Sequence, residues 1–217
     1  MPALKRDFTY RYLLPDLLER LQRQWVSNGA PIAGQLRPGL TEEELHVREA
    51  ETGLALPPEL AFWWQWHDGV HPLKPGTRGG RESWLGPGNW DFLSLAEAID
   101  RREFFLGVAP ERPDAHPQES MWRRDWLPIV GQGPNALFVD CADVTTYGTV
   151  AVHAWHHVPE HPTIPIAGSF TATVATWVAL LEDGAYYWSP RDELEGWWER
   201  REPMSELSRV QCIFGPV

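Results

Sequence analysis

The apolar residues of this 217-residue chain change their period along its length, and that change limits the architectures open to it. From Tyr10 to about Arg102 they recur every three or four residues, the spacing of one helix face. From Trp126 to Trp155 they form short apolar runs separated by Gly, Pro and Asn, the pattern of strands and turns. Helical spacing returns between Thr171 and Asp183. Helices, then a strand meander, then helices is the order of an α+β fold; a doubly wound parallel sheet needs strands and helices in alternation.

The boundaries are written in cap and turn residues. Leu14, Leu17, Leu18, Leu21 and Trp25 form one stripe of a helix over Tyr10–Ser27, with Pro15 read in its first turn and Asn28-Gly29 at its end. Residues 29–40, with Pro31, Gly34, Pro38 and Gly39, read as a linker. Thr41-Glu42-Glu43-Glu44 is a capping box that opens a second helix, closed by Gly53. Glu49 falls on the protein-facing side of that helix, where a carboxylate needs a hydrogen-bond partner. Pro57-Pro58 leads into a third helix through His67, apolar on nearly every side and stopped by Asp68-Gly69. Residues 70–90 read as a long Gly/Pro-rich loop carrying Trp84 and Trp90, and Ser94-Leu95-Ala96-Glu97 opens a short helix through about Arg102. Residues 126–130 and 136–140 read as a hairpin, and 148–155 as a third strand. Ser189-Pro190-Arg191-Asp192 reads as the cap of a last helix bearing Leu194, Trp197 and Trp198.

Charge narrows the function. Thirty acidic against 19 basic residues give a net charge of -11, and residues 131–190 hold no Lys or Arg at all. A polyphosphate ligand needs a Lys/Arg surface that releases counterions, so nucleic acid is not an expected partner; a cationic protein suits this field better. An acidic surface also serves plain solubility. The N-terminal segment has no signal-peptide core, because Arg11, Asp16 and Glu19 interrupt its apolar run, and no stretch is long enough to span a bilayer. The expectation is a cytoplasmic protein with no membrane partner.

No catalytic constellation is legible. Cys141 and Cys212 stand alone among apolar neighbours and read as buried thiols. His153, His156, His157 and His161 offer the best apparent metal site. On a strand, however, His153 and His157 share a face about 13 Å apart, at about 3.3 Å per residue, too far for one ion. A metal-dependent hydrolase is the reading this segment would support if those residues converged. Ser169 lacks the second glycine of a nucleophile elbow and reads as a helix cap. Gly131-Gln132-Gly133-Pro134 lacks the lysine of a phosphate loop and reads as a turn. The expectations are no catalytic residue, no metal and no cofactor. The 13 tryptophans divide into helix-stripe residues such as Trp25 and Trp177, and loop residues, Trp84, Trp90 and Trp122. The latter are candidates both for interface anchors and for lids over the core.

One ordered series of residues resembles a known family. It comprises Leu45, Glu49, Gly53, Leu56-Pro57, Phe62-Trp63-Trp64 and Asp68-Gly69, then Leu127-Pro128-Ile129, Phe138-Val139-Asp140, Gly148-Thr149-Val150 and Gly168-Ser169-Phe170 ahead of a Trp-containing helix. Together they resemble the SUKH superfamily, the Smi/Knr-like group of fungal cell-wall assembly regulators and bacterial proteins. The resemblance implies a single α+β domain with a twisted, mainly antiparallel central sheet packed by helices. It divides the chain into a helical extension over 1–35, the family-like body over 36–184 and a C-terminal helix and tail over 185–217. Bacterial members act as immunity proteins that bind and neutralise a cognate toxin domain; fungal members are regulatory scaffolds of the cell envelope. The implied function is non-catalytic binding of a toxin domain, with a regulatory scaffold as the alternative. Asp68, Trp84, Trp90 and Asp140 are the candidate partner contacts.

Overall fold

The computed structural model describes residues 9–71, 84–108, 122–155, 164–191 and 196–202. Five α-helices lie among them: α1 (Thr9–Ser27), α2 (Glu42–Thr52), α3 (Pro58–Trp66), α4 (Leu95–Val108) and α5 (Phe170–Glu182). A five-stranded sheet, antiparallel throughout, runs in the order β1 (Asp91–Phe92), β2 (Trp126–Gln132), β3 (Asn135–Val144), β4 (Val150–Trp155) and β5 (Ile164–Ala167). The sheet is open, so the fold is α+β, as the order of periodicities requires.

Local chemistry sets most helix ends. Thr41 Oγ1 accepts the Glu44 amide at 3.2 Å, and Glu44 returns its carboxylate to the Thr41 amide at 2.8 Å. Gly53 closes α2 at φ +70°, a conformation open to glycine at little cost. Ser94 and Glu97 form the same box at the start of α4, and Ser169 caps α5. Helix α4 runs six residues past Arg102, because Phe105 and the stem of Arg102 are buried against the sheet side. Pro15 lies within α1 rather than in its first turn, since the helix begins at Thr9. The buried stripe Leu14, Leu17, Leu18, Leu21 and Trp25 offsets the backbone bond that the proline forfeits.

Alternation along the strands gives the sheet two apolar faces. Leu127, Ile129, Leu137, Val139, Val150 and Val152 point into the main core, shared with α1, α3 and α5. Trp126, Ala136, Phe138 and Trp155 point the other way and join Phe105 of α4 and Trp122 in a second cluster. Trp122 fills its centre, with ring centroids 4.5 Å from Phe105, 5.1 Å from Phe138 and 5.3 Å from Trp155. Gly131 leaves the space in which the Arg101 guanidinium crosses β2 to donate to the Asn135 carbonyl at 3.1 Å.

The C-terminal segment departs from expectation. Instead of a helix after Ser189, residues 186–190 and 196–200 form a second, two-stranded sheet, β6 (Tyr186–Pro190) paired with β7 (Gly196–Arg200). Trp197 and Trp198 fit a helical stripe with Leu194, but they fit a strand equally, one ring on each side. The strand wins because Tyr186, Trp188 and Trp198 then bury together, Trp188 and Trp198 meeting edge to face at 5.7 Å.

Candidate functional site

A buried carboxylate stands where three elements meet. Glu59, in the first turn of α3, is fully buried. Its Oε2 accepts the amides of Val150 at 3.0 Å and Phe170 at 3.2 Å; its Oε1 accepts the Thr171 amide at 3.0 Å and the Thr171 hydroxyl. One side chain thus ties the start of α3 to the first residue of β4 and the first turn of α5. Among the described residues no cation pairs with it. The compensation for burying this polar group is four donors, two of them amides in the first turn of α5. Glu59 belongs to no motif legible in the sequence. The available signal was an acid inside a helix that is otherwise apolar all round, which must find donors if that helix is buried.

The four candidate partner contacts lie in two places. Asp68 is buried; it accepts the Leu95 amide at 2.7 Å, adding a second cap to α4, and faces Arg37 at 3.5 Å. Burial pushes its carboxyl above the usual range, against the pull of the Leu95 amide and Arg37. Gly69 beside it, at φ +71°, packs directly on the Ser94 backbone, where a Cβ would collide. Trp84 is half-buried and bridges to Asp91, and Trp90 is buried in the main core. These three gather around the segment leading into α4. Asp140 lies on the other side of the sheet, paired in register with Trp126, whose indole N–H reaches its Oδ2 at 3.2 Å. Its Oδ1 accepts the Ala142 amide at 2.9 Å. Trp122, the third loop tryptophan, is a core residue at 0% exposure.

Acidic side chains surround the end of the sheet at which β3 leaves Asp140. Asp125 and Asp143 are exposed and Asp140 is half-buried. Burial, with Asp140 and Asp125 nearby, pushes the Cys141 thiol up to about 12, so it is a protonated core residue. Arg48 and Glu49 of α2 line a small cleft with Leu127 of β2, which brings α2 to this end. Glu49 does face the protein, accepting the Leu56 amide at 2.7 Å. Glu42, Glu43, Glu44 and Glu51 are exposed, and of the 11 residues of α2 only Leu45 is buried.

His153 sits half-buried on β4, stacked on Phe138 at 5.3 Å between ring centroids. Burial lowers its pKa, with Asp140 and Asp143 opposing the shift. His156, His157, His161 and Cys212 lie outside the described residues. Among the described residues no cluster of metal-ligating side chains occurs, and no helix is long and apolar enough to cross a membrane.

Residues 39–176 match the model of the SMI1 / KNR4 family (SUKH-1). The match covers most of the chain, and it includes Glu59 and the residues it holds, Val150, Phe170 and Thr171. This protein belongs to that family. A comparison with curated proteins found no match. Helix α1 and the β6–β7 hairpin fall outside the matched residues.

Proposed function

We propose that this chain is a non-catalytic binding protein of the immunity type, which neutralises a cognate toxin domain by covering its surface. The observation that carries the reading is the acidic field. Residues 131–190 hold no Lys or Arg, and the described acids Glu42, Glu43, Glu44, Glu51, Asp125 and Asp143 are all exposed, on α2 and beside Asp140. Helix α2 buries Leu45 and turns Glu49 onto the Leu56 amide, while Glu42, Glu43, Glu44 and Glu51 stay exposed to solvent or to a partner. A cationic partner surface would be drawn to this region by long-range attraction and held by short-range pairing. Family membership supports a binding role as well, since the resemblance implies no catalytic set.

The test is binding to the product of a neighbouring toxin-like gene. A 1:1 complex that relieves the toxin's effect is expected, with an association rate that falls as salt is raised. Replacing Glu42, Glu43 and Asp143 by their amides should slow association while leaving the fold intact, because among the described residues none of the three carries a structural hydrogen bond of the kind Glu44 does. Stable association with endogenous envelope proteins instead, without relief of toxicity, would favour the regulatory scaffold and refute the immunity reading.

A further inference from the structure

The segment between Trp84 and Trp90 has loop composition but interior placement. Leu85, Gly86, Pro87, Gly88 and Trp90 are all buried. A buried loop must find partners for its backbone polar groups without a sheet or helix to supply them. Two bonds are internal: the Leu85 amide donates to the Trp90 carbonyl and the Asn89 amide to the Gly86 carbonyl, each at 2.9 Å. Three carbonyls are taken from outside by side chains of three different elements. Trp25 of α1 donates its indole N–H to Leu85 at 2.5 Å, Trp198 of β7 donates its own to Trp84 at 3.0 Å, and Gln132 of β2 donates to Gly88 at 2.9 Å.

Asn89 completes the attachment. Its backbone is left-handed at φ +51°, unusual for a residue other than glycine. Its side-chain amide then faces the Trp198 main chain, accepting that N–H at 2.7 Å and donating to that carbonyl at 3.3 Å. One side chain thus satisfies both backbone groups of a strand residue, as a neighbouring strand would. A two-stranded sheet is marginal by itself, so this contact and the buried rings Trp188 and Trp198 are what seat the hairpin.

Two of the three outside donors, and the partner of Asn89, come from elements beyond the matched family residues. We propose that α1 and the β6–β7 hairpin are the two jaws of a clamp that holds the buried 84–90 loop, and the half-exposed Trp84 with it, in one conformation. The additions are then a conformational device that presets a surface of the family body. Because both jaws grip the same seven-residue loop, loosening one loosens the other.

Hydrogen exchange of the full-length chain tests this. Asn89→Gly keeps the left-handed backbone and removes both side-chain bonds. It should raise exchange in the 84–90 loop and at hairpin amides other than Trp198 together, by about tenfold or more, the scale of one or two lost hydrogen bonds. Exchange in α2 should not change. Trp25→Phe removes the α1 donor alone and should raise exchange in the hairpin as well as in the loop. A loop that loosens in Trp25→Phe while the hairpin stays protected would overturn the clamp. So would an unchanged loop in both variants, or an equal rise in every element including α2.

Discussion

Replacing Glu59 is the sharpest test of how this fold is held together. The carboxylate receives three backbone amides and one hydroxyl at a site closed to water. A buried amide left without an acceptor costs about 1–3 kcal/mol. Glu59→Ala strands three of them, at Val150, Phe170 and Thr171, and opens a cavity that one water can enter. The expected loss is about 4–6 kcal/mol, a large share of the 5–15 kcal/mol typical of a domain. Glu59→Gln keeps one acceptor oxygen, but its NH₂ group must face at least one backbone N–H; about 2–3 kcal/mol is expected. Thr171→Val removes the hydroxyl donor alone and should cost about 1 kcal/mol. Urea unfolding followed by tryptophan fluorescence reads all three. Retention of wild-type stability to within about 1 kcal/mol by Glu59→Ala would refute the reasoning, since the amides would then not depend on the carboxylate.

Two titrations give further checks. His153 has its pKa lowered by burial, so the unfolded chain takes up its proton first as pH falls. Its contribution to stability is complete above the ordinary histidine value and is lost as pH falls from there toward the lower folded value. His153→Gln should flatten that part of the stability profile, and an unchanged slope would count against a half-buried imidazole. Arg20 grips Glu182 through two bonds, at 2.9 and 2.6 Å, and joins α1 to α5. Chiefly through the Arg20 hydrogen bond, the Glu182 carboxyl is held below its usual range, so this contribution is present at neutral pH and disappears as pH falls through the folded value. Both side chains are about a third exposed, so solvent screening limits Glu182→Gln to about 1 kcal/mol or less at neutral pH, shrinking further in high salt.

The helices were legible wherever capping chemistry and a stripe agreed. Thr41 with Glu44, Ser94 with Glu97, Gly53 and Ser169 each act locally, within one turn of backbone, and each does in the structure what its spacing predicts. The family pattern was legible for the same reason, as an ordered series of short-range signals. The C-terminal hairpin was not, because Trp197 and Trp198 suit either period. The choice depended on what lay opposite, namely Trp188, Asn89 and the Trp84 carbonyl, which are remote in sequence. Among the candidate contacts, Trp90 and Trp84 share a loop whose composition marks it for the surface, yet side chains from three other elements carry it inside.

By itself the sequence determined the α+β class, the capping of the helices, the β2–β3 hairpin and an acidic net charge. These follow from periodicity, from hydrogen bonds within a few residues and from net charge, none of which needs a distant partner. Only the tertiary structure decided that Glu59 is a structural anchor, that Asp68 caps a helix beside Arg37, that the last helix is a hairpin, and that α1 and β7 grip one buried loop. Each of these turns on a donor or ring supplied from far along the chain, and burial is what obliges the two to meet.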